Sequence, residues 1–222
     1  MPLAGTGMLL TSMDVDGADE AEFNRWYDSE HLEERVAIAG FLEARRYIAH
    51  KANPKYLCLY STQTIEVLDS SAYRARLASP TEWSKKTMAC FKNMIRAVAR
   101  ITYSRGNGRG AALGVVRLRP ASGSEDALRA EVKSKLDPAD LDGIISMHLI
   151  ESDPALSGPT NEIPSAGAGA GDWFVLIDGT SASAISATLA ARFSAAPAHA
   201  AQVSSGIYDL MWDLAKNDIA HA

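Results

Sequence analysis

Residues 23–35 read Phe-Asn-Arg-Trp-Tyr-Asp-Ser-Glu-His-Leu-Glu-Glu-Arg, two closely spaced aromatics followed within a turn by a carboxylate and an imidazole. A neutral imidazole titrates near physiological pH and moves a proton in either direction, so His31 is the strongest acid/base candidate in the chain. Tyr27 precedes it by four residues, and its hydroxyl could donate to a substrate carbonyl or to His31. Glu30 is positioned to orient His31 or to act as a second base. Phe23 and Trp26 would form an apolar wall for a flat ligand. The chemistry this set supports is proton transfer on a small carbonyl compound. The competing reading is structural: His31 bonds a backbone carbonyl at a helix end, and the aromatics are core residues at helical spacing.

At 100° per residue, Phe23, Tyr27, Glu30 and Glu34 share one side of a helix, with Trp26 and His31 on its flanks. Polar groups on the stripe that faces a core need partners or a function. Leu32 and Val36 fall on the opposite side, so the spacing predicts a helix over 18–33 that ends or bends just after His31.

Further candidates lie on predicted strands. Arg45 and Arg46 follow one another, so only one of them points inward. An inward arginine at Arg45, or at Arg100 on the later strand, would bind a carboxylate or phenolate; the alternative is a solvated or salt-bridged side chain. Tyr56, Cys58 and Tyr60 share one strand face and Leu57 and Leu59 the other, which suits a strand covered on both sides, with Tyr60 available to line a cavity. His148 is the single strand histidine of the second half and is placed to face the first half. His50, His199 and His221 read as loop or tail residues. No two histidines have metal-ligand spacing, so no metal site is expected. A haem would need His31 or His148 as axial ligand, and no cofactor is expected. There is no phosphate loop and no Gly-x-Ser-x-Gly elbow.

The 222 residues, 47% hydrophobic, allow a sizeable core, and the formal net charge of −5 gives no footprint for nucleic acid. No apolar run reaches membrane-spanning length, and the first residues lack the pattern of a secretion signal. Two cysteines, Cys58 and Cys90, make no disulfide framework; both read as small buried residues, and a cytoplasmic location is expected. Eleven of the 16 aromatics fall within residues 1–105, so the richer chemistry lies there.

The break in the chain is Ser104-Arg-Gly-Asn-Gly-Arg-Gly110, a linker or tight turn. On each side the same order of elements is legible. In the first half, strands near 7–15, 40–47, 55–62 and 99–104 alternate with the 18–33 helix and with helices near 66–78 and 81–93. In the second, strands near 113–119, 142–150, 172–177 and 206–214 alternate with helices near 123–136 and 181–193. This β-α-β-β-α-β doubling, over 1–105 and 111–222, predicts an α+β fold: two fused ferredoxin-like units whose antiparallel sheets meet face to face in one barrel. Residues 152–171 form a weakly patterned, Gly- and Ala-rich stretch that reads as a disordered loop or a lid over a ligand.

The run Phe-Asn-Arg-Trp-Tyr-Asp-Ser-Glu-His-Leu, followed by Ala39-Gly-Phe-Leu-Glu-Ala-Arg-Arg-Tyr47, resembles the dimeric α+β barrel superfamily and in particular its EthD-like members. The resemblance covers 7–104 by motif and 111–215 by topology alone, because Ser124-Glu-Asp-Ala-Leu-Arg-Ala-Glu-Val132 lacks the Glu-His pair. It implies a barrel, usually built by two chains, that is completed here within one chain; a homodimer is a further possibility. Relatives of this kind include muconolactone-type isomerases, small polyketide cyclases, quinone-forming monooxygenases and haem-binding proteins, so fold does not fix function. The leading expectation is a cofactor-independent isomerase, cyclase or lyase acting on a small cyclic or aromatic carbonyl compound, with His31, Glu30 and Tyr27 catalytic and Phe23, Trp26, Arg45, Tyr60, Arg100 and His148 contacting substrate. The alternatives are a non-catalytic module that binds a small hydrophobic ligand, or a cofactor-free monooxygenase.

Overall fold

A computed structural model describes residues 3–158 and 168–219. The first half runs β1 (Gly7–Asp14), α1 (Glu20–Trp26), a π-helical turn (Tyr27–His31), α2 (Leu32–Ala37), β2 (Phe41–Lys51), β3 (Tyr56–Thr62), a 3₁₀ turn (Ile65–Asp69), α3 (Ser71–Ala78), α4 (Glu82–Met88) and β4 (Lys92–Gly106). The second runs β5 (Ala112–Pro120), α5 (Glu125–Lys135), β6 (Ile144–Ser152), β7 (Trp173–Gly179), α6 (Ala182–Arg192), β8 (Ala200–Ala215) and a last turn α7 (Lys216–Ile219). The eight strands close into a barrel of order β1-β3-β2-β8-β5-β7-β6-β4, with every neighbouring pair antiparallel. Within it the halves keep matching orders, β4-β1-β3-β2 and β8-β5-β7-β6. They join edge to edge through β2–β8 and β4–β6, so the expected two-unit barrel forms in one chain with no strand edge left open. A glycine with positive φ precedes both second strands, Gly40 (+86°) and Gly143 (+73°). At Gly40 an added Cβ would stand 2.6 Å from Val67, which leaves no room for a larger residue at this tight helix-to-strand turn.

The period-2 alternation sorts side chains into three cores. Met8, Leu10, Leu57, Leu59, Ala97 and Ala99 meet Leu113, Val115, Phe174 and Leu176 inside the barrel. The opposite faces of the same strands, including Leu9, Met13, Tyr56, Cys58, Tyr60 and Val98, are covered by α1, α2 and the α3–α4 pair. In the second half α5 and α6 cover Val116, Leu118, Met147, Leu149, Val175 and Ile177. Both faces of Tyr56–Tyr60 are buried, as the alternation predicts.

Polar side chains close the two ends of the barrel interior. At one end Arg45, 1% exposed, lies 3.4 Å from Asp178 and 3.5 Å from Glu43, and donates to the Tyr47 hydroxyl at 3.3 Å. Arg109 adds a second cation on Glu43 and pairs with Asp213 at 2.7 Å. At the other end Asp172, fully buried, holds Arg117 and Arg119. With apolar layers between these clusters, the barrel interior is a packed core.

Several boundaries depart from the sequence reading. The first helix does not end at His31: a π turn inserts one residue, which rotates the following segment by about 100° and returns Leu32 and Val36 to the core. The helix expected over 81–93 stops at Met88, and β4 starts at Lys92, because pairing with β1 reaches down to Asp14. Cys58 is buried as expected, whereas Cys90 is partly exposed. His50 lies in β2 rather than a loop, with Nδ1 3.1 Å from Asp209; His199 is in a loop, and His221 falls outside the described residues. Of the 152–171 stretch, residues 159–167 also fall outside them. Among the described residues, no helix is long and apolar enough to cross a membrane.

Removing one member of a buried ion pair leaves its partner charged in a low-dielectric interior. Asp178→Ala should therefore destabilise the fold by about 3 kcal/mol, read as a lower urea midpoint with an unchanged m-value. A midpoint equal to that of the parent protein would show that Arg45 is satisfied by Glu43 alone.

Candidate active site

The candidate residues of the first helix gather on the outside of the barrel, between helix and sheet. Acidic residues in its first turn, Glu20 and Glu22, suit the helix dipole. Phe23, Trp26 and Tyr27 are buried against the outer face of β1 and β3. The π turn then presents His31 to the same face. Beneath it lies a narrow cavity of about 30 Å³, walled by Leu9, Thr11 and Met13 of β1, Tyr27, His31 and Arg35 of the helix, Tyr60 of β3, and Tyr73, Leu77, Met88, Phe91, Met94 and Arg96. Three buried polar atoms among these residues have no hydrogen-bond partner in the protein: Thr11 Oγ1, His31 Nδ1 and Tyr60 Oη. Buried polar groups are ordinarily bonded, so three without a protein partner around a single cavity give it the lining to hold a polar atom of a water or of a ligand.

His31 is held by rings. The Trp26 ring lies 4.0 Å away, tilted 30°, while Tyr27 and Tyr60 stand edge-on at 5.1 and 6.3 Å. Burial, and then the positive charges of Arg35, Arg76 and Arg46, hold its pKa well below 6.5, so the imidazole is neutral at pH 7. Burial pushes the Tyr27 and Tyr60 phenols well above their ordinary range, and the Cys58 thiol between them on the sheet face up to about 11. At neutral pH all three are protonated. Tyr27 Oη points to Met13 Sδ at 3.8 Å.

Two adjacent strand residues separate the two cores. Arg45 enters the barrel and Arg46 the helix layer. Arg46 is fully buried, with its guanidinium 4.3 Å above the Tyr27 ring and bonds to Asp28 at 2.8 Å and Asn24 at 2.5 Å. Arg96, on the helix side of β4, lines the cavity and donates to the Leu156 carbonyl at 2.8 Å.

The expected site residues thus divide. Tyr27, His31 and Tyr60 line one cavity. Trp26 backs His31, and Phe23 packs behind Tyr27, at 4.9 Å between ring centroids. The Glu30 carboxylate is turned away and accepts from Trp26 Nε1 (3.1 Å), Thr81 Oγ1 (2.7 Å) and Ser84 Oγ (3.2 Å), which ties the helix to the N-terminus of α4. Arg45 is in the barrel-end cluster, on the other side of the sheet. Arg100 is exposed and pairs with Glu66 at 3.3 Å. His148 faces the barrel interior and meets the first half, as expected, with Nδ1 2.9 Å from Ser104 Oγ of β4, Nε2 3.0 Å from Ser146 Oγ, and Asp178 at 3.7 Å. Neither histidine fits a haem: both His148 nitrogens are engaged, and the space at His31 is far smaller than a macrocycle. Sequence reasoning missed Thr11 and Arg35. Thr11 carried a signal, a polar residue on the Leu9–Met13 face of an apolar strand. Arg35 follows His31 by four residues, but on a helix expected to have ended.

No protein-family model matches the sequence, and no curated protein sequence matches it. Solved structures do match in fold. A protein of Fusobacterium nucleatum that carries the name putative monooxygenase superposes with a TM-score of 0.60 at 8% identity, covering 96% of this chain and 95% of its own. An anthrone oxidase-like protein gives 0.59 at 9% identity, with 95% and 93% covered. Chlorite dismutase from Candidatus Nitrospira defluvii gives 0.54 at 9% identity, with 98% and 94% covered. At such identities the likeness is one of fold: the chain shares its α+β barrel architecture with these proteins over 95–98% of its length.

Proposed function

We propose that the chain is a cofactor-independent, EthD-like enzyme that moves a proton on a small cyclic or aromatic carbonyl compound. The observation that carries this reading is the set of unpartnered buried atoms, Thr11 Oγ1, His31 Nδ1 and Tyr60 Oη, around one cavity beside Arg35 and Arg96. With its proton on Nε2, a neutral His31 offers the Nδ1 lone pair as base. It takes a proton from a carbon next to the carbonyl, and the electron pair moves onto the carbonyl oxygen. Tyr60 and Thr11 donate to that oxygen, and the neighbouring arginines stabilise its charge. Their charge by itself disfavours imidazolium. An enolate beside His31 offsets that field, so protonation of His31 becomes favourable as the reaction proceeds. Return of the proton to a different carbon gives an isomer; attack of the enolate carbon on a second carbonyl of the same molecule, with the proton passing to the new alkoxide, closes a ring; and expulsion of a leaving group from the neighbouring carbon, which takes the proton, is a lyase step. Tyr27 positions the imidazole, and Glu30 anchors the helix to α4.

A second reading is interception of the enolate by dioxygen, as in a cofactor-free monooxygenase; the apolar side chains of Leu9, Met13 and Met94 in the cavity wall support it. Oxygen uptake dependent on His31 distinguishes it. Saturable binding with no exchange and no uptake would instead mean a ligand-binding module.

In D₂O the protein should catalyse deuterium incorporation next to the carbonyl of 2-tetralone, followed by NMR. His31→Gln should slow this by about 10²-fold or more, with a melting temperature within a few degrees of the parent. Exchange that survives the substitution rejects His31 as the base. Glu30→Gln should retain most of the activity and lower the melting temperature, since its contacts are to Trp26, Thr81 and Ser84.

Burial of a neutral His31 also links stability to pH. The unfolded chain binds a proton as pH falls through about 6.5, while the folded protein does not. The His31 contribution is therefore complete above pH 6.5 and is lost below it, by up to about 1.4 kcal/mol per pH unit until the folded imidazole titrates. Urea midpoints measured from pH 7.5 to 5 should fall more steeply for the parent than for His31→Gln; parallel curves would place a protonatable His31 in contact with water.

A further inference from the structure

A cavity of about 30 Å³ holds one or two water molecules, whereas a benzene ring occupies an engineered cavity of about 150 Å³. Any ring compound that reaches His31 must therefore displace part of the wall. Most of that wall is fixed. Leu9, Thr11, Met13, Tyr60, Met94 and Arg96 belong to paired strands, and Tyr27, His31, Arg35 and Tyr73 are buried helical residues. The three remaining lining residues, Leu77, Met88 and Phe91, are the partly exposed ones.

These three sit at helix ends or just beyond one. Leu77 is in the last turn of α3, just before Ser79-Pro80, and Met88 is the last residue of α4. Phe91 lies between α4 and β4, held by a turn bond from its N–H to the Met88 carbonyl at 3.2 Å. The other end of α4 is fastened: Thr81 caps Ser84 N, and Glu30 binds both Thr81 and Ser84. The C-terminal end of α4, which carries Met88 and leads to Phe91, is held instead by Cys90 beside Asp19 and by edge-on contacts of the Phe91 ring with Phe23 and Trp26 at 5.8 and 6.2 Å. Phe91 also borders, with Met94, an open groove of about 650 Å³ that runs past Asn93 and Ser204. Displacing Phe91 joins the groove to the cavity. Met13, Met88 and Met94 offer polarisable sulfur to an aromatic face, and their unbranched side chains re-pack readily.

We propose that Leu77, Met88 and Phe91 form a side-chain plug between this groove and the His31 cavity, and that Met88 and Phe91 set the size of the planar aromatic ligand admitted. The proposal rests on the reading of the cavity as the ligand site. The ligand oxygen meets His31, Tyr60 and Thr11, and its rings take the space the plug leaves. One ring fits with small side-chain shifts, and additional fused rings are opposed by Phe91.

The test is calorimetric titration of the full chain with phenol, 2-naphthol and 9-phenanthrol. Phe91→Ala and Met88→Ala should tighten 9-phenanthrol binding at least tenfold while changing phenol less than threefold, and Phe91→Trp should weaken 2-naphthol. Should Phe91→Ala fail to fold, Phe91→Leu and Met88→Ala carry the same comparison. If His31→Gln weakens all three phenols but the plug variants leave their ranking unchanged, the ligand site stands and the plug is wrong. If none of the phenols binds the parent or any plug variant, the reading of the cavity falls and the plug with it.

Discussion

Closure of eight antiparallel strands within one chain is the constraint on which the rest of this protein depends. An open ferredoxin-like sheet has two edges with unpaired backbone groups and one apolar face without cover. Here the edges of one half pair with those of the other, β2 with β8 and β4 with β6. The two uncovered faces become the inside of the barrel, where Leu10, Leu59, Leu113 and Phe174 fill the space. The inside is filled by these side chains, and the candidate cavity lies in the layer between helices and sheet. The two halves are free to diverge there, because neither outer layer takes part in closure. The first keeps an aromatic, arginine-rich layer and the second an aliphatic one under α5 and α6.

Ionic clusters finish the barrel ends. Arg45 crosses from one half to Asp178 of the other, and Arg117 and Arg119 share Asp172 within the second half. A buried ion pair is weak evidence for net stability, since desolvation offsets attraction. Its effect here is on registry. A one-residue slip of β2 would carry Arg45 to the helix layer and Arg46 into the barrel, exchanging two guanidinium environments of opposite requirement. One is answered by Glu43 and Asp178, the other by Asp28, Asn24 and the face of Tyr27.

The first helix solves a separate conflict. Its N-terminal part must bury Phe23, Trp26 and Tyr27, its middle must place His31 over the cavity, and its end must bury Leu32 and Val36. A uniform α-helix cannot do all three, because Leu32 and Val36 lie about 180° from Phe23. One inserted residue in the π turn Tyr27–His31 brings these sets onto the sheet together. π turns of this kind occur frequently at functional sites. The depressed pKa of His31 follows from the same placement, since the turn sets the imidazole in a dry space among Arg35, Arg46 and Arg76.

The sequence alone determined what depends on local period and composition. Alternation in Tyr56–Tyr60 specified a strand covered on both faces, glycines before both second strands marked equivalent turns, and the doubled order of elements specified two ferredoxin-like units in one barrel. His31, Tyr27 and Tyr60 were legible as candidates because each is a polar group on a stripe otherwise apolar. What only the tertiary structure decided depends on contacts between segments distant in the chain. Which of Arg45 and Arg46 enters the barrel is set by the register of β2 against β8. Glu30 is committed to α4 by Thr81 and Ser84, some fifty residues away, and Arg100 is drawn to the surface by Glu66. The helix continues through Arg35 by way of the π turn, which brings Leu32 and Val36 onto the core. A periodic pattern reports which face a residue occupies within its own element; which surface that face meets is settled only when the elements pack.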